Sequence, residues 1–97
     1  MNKQQLFYQS FLQLRTEDEV RKYLRDLLTE AEIAEFTERL YVADLLSGGN
    51  TYEAIAQKTN MSSTTSARVS KWLRSGKGGY GLVLDRLHHL QSSKTLL

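Results

Sequence analysis

The residues with the clearest capacity for specific chemistry lie between positions 57 and 77, and most of them are hydroxyl-bearing or basic. Hydroxyl groups can donate to phosphates or base edges, and an arginine can bind guanine O6 and N7 with two hydrogen bonds. No acidic residue interrupts positions 54–84, which suits a polyanionic partner. We expect such a partner to contact Gln57, Lys58, Ser62, Ser63, Thr64, Thr65, Ala67, Arg68, Lys71, Arg74 and Lys77.

The charge of the chain is distributed unevenly along its length. Residues 1–50 hold six basic and nine acidic side chains, a net charge of −3. Residues 51–97 hold seven basic and two acidic side chains, a net charge of +5, so that the whole chain carries +2. A basic C-terminal half favours a nucleic acid as partner, although a solvated charged surface explains the charge equally well when it is taken alone.

Catalysis, metal binding and membrane insertion find little support in the sequence. There is no cysteine, and the adjacent His88 and His89 would point about 100° apart on a helix, which is poor geometry for one metal ion. The hydroxyl run that begins at Ser62 has no evident base beside it. No apolar run approaches the ~20 residues that span a bilayer, and the N-terminus lacks the apolar stretch of a signal peptide. We therefore expect a cytoplasmic protein that is not an enzyme and needs no cofactor or metal.

Helical spacing of apolar residues in a chain without proline predicts an all-α fold of about six helices, in a single domain over residues 1–97. Thr16, Thr29, Asn50 and Ser62 are typical N-cap residues, and Asn60 tolerates the positive φ that a tight turn needs. Helices are expected at about 4–14, 16–27, 30–47, 51–58, 63–74 and 80–90, with a frayed tail over 91–97.

Residues 51–74 have the plan of a helix-turn-helix, in which a three-residue turn at 59–61 separates two helices. Small residues at Ala54 and Ala56 would allow the helices to approach closely. The outer face from Ser63 to Lys71 would then enter the major groove, although the hydroxyl run could also be only a polar loop and cap. The expected apolar anchors of this motif are Ile55, Met61, Val69 and Leu73, with Trp72 as a possible fifth.

The first 47 residues carry apolar stripes that one small domain would have little reason to expose. These stripes could form an intramolecular core or a dimer interface, and we favour the interface for the first helix. Residues 1–47 are accordingly expected to form a dimerisation scaffold. The candidate interface residues are Leu6, Phe7, Phe11, Leu14, Tyr23, Phe36 and Leu40.

The segment RLYVADLLSGGNTYEAIAQKTNMSSTTSARVSKWL resembles the Trp repressor family, in particular its Trp-repressor-like subgroup of the YerC/YecD type. A long helix ending in Leu45-Leu46, a glycine-containing turn and the run from Ser62 to Arg68 carry the resemblance. It implies a six-helix, intertwined homodimer whose two recognition helices are spaced for successive major grooves. It also implies a sequence-specific transcriptional regulator, a repressor on a palindromic operator.

Two departures from the family pattern concern tryptophan as corepressor. Arg68 matches the arginine that holds the ligand carboxylate in tryptophan-binding members, but Val69 replaces the glycine that leaves room for the indole. A second ligand-binding arginine is replaced by Glu38, and Arg39 lies one position out of register. We therefore expect that tryptophan is not used, which leaves Arg68 for DNA or for a local carboxylate. Ser66 also replaces an apolar residue, so looser packing is expected there.

A second function class stays open at this point. The same helices could form a protein-interaction adaptor that docks on another protein, with an incidental basic face. Salt-sensitive binding to duplex DNA would separate the two hypotheses.

Overall fold

A computed structural model describes residues 1–96 of the chain, with side chains described through Gln91. Over this range the chain is all-α, as predicted, and no described helix is long and apolar enough to cross a membrane. The chain divides into two compact units, Met1–Ala34 and a second unit that begins at Glu35. The helices are α1 (Lys3–Phe11), α2 (Glu17–Leu27), α3 (Glu30–Ser47), α4 (Tyr52–Lys58), α5 (Ser63–Ser75) and α6 (Gly79–Leu96).

In the first unit, hydrogen bonds at the helix ends define the helices. The Thr16 hydroxyl accepts from the backbone N–H of Glu19 at 3.1 Å, which confirms the predicted N-cap of α2. The same device is complete at α3, because Thr29 and Glu32 each accept from the backbone N–H of the other. Such caps satisfy donors that the first turn of a helix leaves without an intrahelical partner.

The first helix is shorter than the expected range of 4–14. It ends at Phe11, and the next three backbone N–H groups, from Leu12 to Leu14, each donate to a carbonyl three residues earlier. These bonds form a tight turn, which delivers the chain to the extended backbone that Thr16 needs as a cap.

The last helix is longer than the expected range of 80–90. It begins at Gly79 and continues to Leu96, so the expectation of fraying from Gln91 onwards is wrong for the described part of that tail. No glycine or proline follows Gly81 to end the helix. Leu97, the last residue of the expected tail, lies outside the described residues.

The second unit contains the buried core. Val42 and Ala43 of α3, Ile55 of α4, Val69 of α5 and Leu84 of α6 are its buried apolar residues. Each of the four helices in this unit therefore contributes to one cluster, which fixes α4 and α5 against α3 and α6.

Candidate nucleic-acid interface

Helices α4 and α5 form the expected pair of short helices, and the core holds them by their inner faces. Ile55 is 0% exposed and Val69 is 4% exposed. Met61 and Leu73 pack against the same cluster, so all four predicted anchors are confirmed. Trp72 is not a fifth anchor, because its side chain is 58% exposed.

The small residues buried between the helices are serines of α5 and not the expected alanines of α4. Ala56 is exposed and Ala54 only half-buried, whereas Ser66 and Ser70 of α5 are buried beside Val69. Ser66 is 3% exposed, so its side chain is covered by neighbours, and the expectation of looser packing at this position stays a prediction. A serine is small enough for its helix to lie close to a neighbour.

The turn between the two helices is built from Thr59 and not from Asn60. The Thr59 hydroxyl donates to the carbonyl of Ile55 at 3.0 Å and accepts from the backbone N–H of Met61 at 3.3 Å. The expected left-handed Asn60 is wrong, because no described residue other than glycine has a positive φ. A side chain that bonds to the backbone on both sides can form a turn without a left-handed residue.

The short helix α4 has a different cap from the expected one. Thr51, and not Asn50, is its N-cap, and the Thr51 hydroxyl accepts from the backbone N–H of Ala54 at 3.1 Å. Gly49, with a φ of 86°, ends the preceding helix and directs the backbone N–H of Asn50 to the carbonyl of Leu45. Asn50 therefore belongs to the end of α3, one residue before the cap position.

Helix α5 presents its outer face to solvent along its whole length. Ser62 is the N-cap, as predicted, and accepts from the backbone N–H of Thr65 at 3.2 Å. The buried positions 66, 69 and 70 lie on one side, as the helical period requires. Thr65 is half-buried, and the other predicted contact residues are exposed: Gln57, Lys58, Ser62, Ser63, Thr64, Ala67, Arg68, Lys71, Arg74 and Lys77.

The positive charge of this face is not neutralised by carboxylates. The ion pairs among the described side chains involve Arg21, Lys22, Arg25, Arg39 and His88, and none involves a cation between positions 51 and 77. Five cations, Lys58, Arg68, Lys71, Arg74 and Lys77, therefore remain available to a polyanion.

A cleft of about 280 Å³ lies beside the exposed face of α5. Arg39 and Arg68 both line it, although the sequence pattern places Arg39 one position out of register. Glu35 forms an i, i+4 ion pair with Arg39, and Arg68 is in no ion pair among the described side chains. The residues that line the cleft are Glu35, Arg39, Thr65, Arg68, Val69, Trp72 and Tyr80.

Sequence reasoning missed part of this cleft. Thr65, Arg68 and Trp72 follow one another at three- and four-residue steps, so helical spacing alone could have placed Trp72 on the same stripe. Arg39 and Tyr80 lie on α3 and α6, and no local pattern connects them to α5.

The two histidines do not act together. His88 Nε2 and Asp44 Oδ1 are 2.7 Å apart, a contact that joins α6 to α3, and no bond links His88 to His89 among the described contacts. The described residues contain no group of three or more histidine, aspartate or glutamate side chains that could hold a metal ion.

The model of the family described as Trp repressor protein matches residues 2–88 of this chain. The chain belongs to the Trp repressor family. The members of this family are DNA-binding transcription regulators, and the match covers nearly all of the first compact unit and the second unit as far as residue 88, with the whole of α4 and α5.

Individual members of the Trp repressor family agree with this assignment. The uncharacterized protein YerC of Bacillus subtilis is 36% identical over 88 residues, which cover 91% of this chain and 85% of that protein. A TrpR-like protein from Eubacterium eligens has a crystal structure with a TM-score of 0.83 and 36% identity, covering 87% of each chain. A Trp repressor candidate from Staphylococcus aureus also has a TM-score of 0.83, at 32% identity, covering 87% of this chain and 84% of that one.

Proposed function

We propose that this member of the Trp repressor family is a sequence-specific repressor that occupies an operator by inserting α5 into the major groove. The observation that carries the proposal is the two-sided character of α5. Its inner face is buried at positions 66, 69 and 70, and its outer face is an exposed, acid-free surface of hydroxyl and basic groups. The core holds α5 by its inner face, and many side chains on its outer face are short. Such a helix fits a major groove about 12 Å wide.

The contact residues divide into two roles. Thr65 and Arg68 lie in the first half of α5 and are assigned to base edges, where a bidentate arginine–guanine contact contributes about 1–3 kcal/mol of discrimination. Lys71 and Lys77 are assigned to phosphates, which fix position but carry no sequence information. Gln57, Lys58, Ser62, Ser63, Thr64, Ala67 and Arg74 complete the proposed footprint.

The proposed active form is a homodimer with residues 1–47 as its scaffold. None of residues 1–34 is buried, although Leu6, Phe7, Phe11 and neighbouring side chains are apolar. A second copy would cover such a surface and would place two α5 helices about 34–36 Å apart, matching a palindromic operator.

Tryptophan is not proposed as corepressor. Val69 lines the cleft beside Arg68 and is 4% exposed, so its branched side chain occupies space that an indole would need. Arg39 does reach the cleft, so both arginines are present there, and the volume taken by Val69 is what disfavours tryptophan. Calorimetry with L-tryptophan tests this directly, and saturable binding at micromolar concentrations would overturn it.

Fluorescence anisotropy with duplex DNA at several salt concentrations tests the proposed function. Genomic selection of fragments by the purified protein supplies the operator. Lys71→Ala and Lys77→Ala should weaken all duplexes alike, and because each change occurs twice in the proposed dimer, each should lower the salt slope by about two units. Lys22→Ala, which removes a cation paired with Asp18 on α2, is the matched control and should change nothing.

Base reading is tested separately from phosphate contact. Arg68→Ala and Thr65→Ala should reduce the preference for operator over random duplex while leaving binding to random duplex nearly unchanged. If Arg68→Ala leaves operator discrimination intact, the role given to that residue is wrong. If no salt-dependent duplex binding occurs at all, the protein-interaction adaptor replaces the repressor.

A further inference from the structure

The side chain of Asn50 connects the end of α3 to the end of α4. Its Nδ2 donates to the carbonyl of Leu45 at 2.9 Å, and its Oδ1 accepts from the ammonium of Lys58 at 3.2 Å. Both polar atoms of one carboxamide are thus engaged, by groups on two different helices. The side chain is half-buried, whereas Lys58 is exposed.

The core holds Leu45, the residue that accepts from the Asn50 carboxamide, in place. Leu45 packs against the buried core, and its carbonyl already accepts from the backbone N–H of Asn50 at 3.0 Å. The second bond, from the carboxamide, is therefore not needed to satisfy that carbonyl. Its consequence is to fix the orientation of the carboxamide, whose oxygen then faces Lys58.

The Asn50 side chain bonds to a carbonyl in the last turn of α3, but it is not the N-cap of α4, a role that would have explained its carboxamide oxygen. Thr51 performs that role for α4, through its own hydroxyl. The contact with Lys58, eight residues along the chain, is the remaining function of the Asn50 carboxamide oxygen.

We propose that Asn50 is a positioning residue that holds the Lys58 ammonium ready for a DNA phosphate. The inference rests on the proposed function, in which Lys58 lies in the footprint. An ammonium has three donors, so one bond to Asn50 leaves two for a phosphate. A free lysine loses much rotamer entropy when it is fixed, and Asn50 removes part of that loss before DNA arrives.

A double-mutant cycle in DNA binding tests the proposal, using N50A, K58A and the double variant with a random-sequence duplex of 30 base pairs. N50A alone should weaken binding by roughly three- to tenfold, the effect of releasing one ordered side chain. The same change in the K58A background should have no further effect, because the residue through which Asn50 acts is gone.

The salt dependence separates positioning from direct contact. K58A should lower the salt slope by about two units, because one phosphate contact is lost from each subunit of the proposed dimer. N50A should leave the slope unchanged, because Lys58 still reaches the phosphate but starts from a disordered state. N50D keeps an acceptor for Lys58 but loses the bond that Nδ2 donates to the Leu45 carbonyl, and it adds a negative charge beside Lys58, so it should lower the slope as K58A does.

Several results would overturn the inference, and they are distinguishable from failure of the proposed function. An equal loss for N50A in both backgrounds would make Asn50 a structural residue or a direct contact. If K58A has no effect while Lys71→Ala does, Lys58 is outside the footprint, and the proposed function stands without the positioning role. If no variant alters binding and no salt dependence exists, both proposals fail.

Two controls keep the test interpretable. Asn60→Ala removes an exposed asparagine whose side chain has no hydrogen bond among the described contacts, and it should leave both affinity and slope as in the parent protein. Thermal unfolding by circular dichroism checks that N50A remains folded. If it does not fold, N50D, which changes only the carboxamide nitrogen, carries the test, and an unchanged slope for folded N50D contradicts the proposal.

Discussion

Residues 1–34 and the unit that begins at Glu35 are both helical, but different interactions hold their helices in place. In the first unit, capping bonds and surface ion pairs order the helices, yet no side chain is buried. In the second unit, Val42, Ile55, Val69 and Leu84 are buried together in one core, which includes the inner face of α5. Both units have amphipathic sequences, but only the second contains buried apolar residues, and even there side chains of α3 and α6 such as Phe36 and Leu87 stay exposed.

This difference separates the two sources of helix stability. Caps and i, i+4 pairs contribute a few tenths to about 1 kcal/mol each, which is too little to hold short helices in water. The aromatic contacts of Phe11 with Phe7 and Tyr23 leave Phe7 46% and Phe11 40% exposed. The first unit therefore has no buried core to stabilise its helices, whereas the second unit has one, although the second unit also exposes apolar side chains such as Phe36 and Leu40.

The largest expected effect is on assembly, from Phe11→Asp. If the first unit is covered by a second copy, each change acts twice in a symmetric dimer and should cost about 3–6 kcal/mol per dimer. Sedimentation at micromolar concentration should then show a monomer. Gln9→Asp, on the opposite side of α1, is the matched control. An unchanged dimer in both variants would show that Phe11 is not covered by a second copy.

The next effect is on the core of the second unit, from Ile55→Ala. Truncating a fully buried isoleucine should lower the free energy of unfolding by about 2–5 kcal/mol. Urea denaturation at fixed protein concentration measures it. Leu6→Ala, at an exposed position of the first unit, should cost much less in the monomeric Phe11→Asp background, and equal costs there would show that the two units do not differ as described.

A smaller effect is expected at the end of α5, from Gly76→Ala. A Cβ at this position would lie 2.3 Å from the carbonyl oxygen of Trp72, so backbone must move, at a cost of about 1–3 kcal/mol. Gly81→Ala is the matched control, because a Cβ there meets nothing within 4 Å. It should stabilise α6 by about 0.5–1 kcal/mol. Thermal unfolding measures both, and a neutral Gly76→Ala would contradict the close contact.

The sequence predicted the helices well wherever a local hydrogen-bond device marks an end. The bounds of α3 and the caps at Thr16 and Ser62 agree with the structure. One failure occurs where two neighbouring residues could serve equally as a cap. Asn50 and Thr51 are both good caps, and the left-handed Gly49 decides between them by assigning Asn50 to α3.

Only the part of the candidate site that lies on α5 could be predicted from the sequence. The period of α5 separates the buried positions from the exposed face, so the proposed contacts follow from its sequence. Trp72 was misjudged because an aromatic residue next to Leu73 resembles a core residue, although it faces the cleft. Arg39 and Tyr80 join that cleft through the packing of α3, α5 and α6, which no sequence spacing encodes.

The smallest expected effect is a pH dependence of stability that arises from the cap at Thr29. It tests whether surface hydrogen bonds order the first unit. Hydrogen bonds from the Thr29 backbone and then from its side chain lower the pKa of the Glu32 carboxyl. A carboxyl whose pKa is lower in the folded state contributes stability above its unfolded value, about 4.3, and loses that contribution as the pH falls through the folded value.

The variant Glu32→Gln tests this sign. It keeps an oxygen that can accept from the Thr29 N–H but cannot titrate, so the parent should be more stable than the variant near neutral pH. The difference should shrink and then vanish as the pH falls through the folded pKa of Glu32, which lies below the unfolded value of about 4.3. Thermal unfolding at a series of pH values measures it. Glu53→Gln, at a first-turn carboxylate with no side-chain hydrogen bond among the described contacts, is the control. If Glu32→Gln loses stability equally at neutral and acid pH, its carboxylate does not order the start of α3, and packing must do so instead.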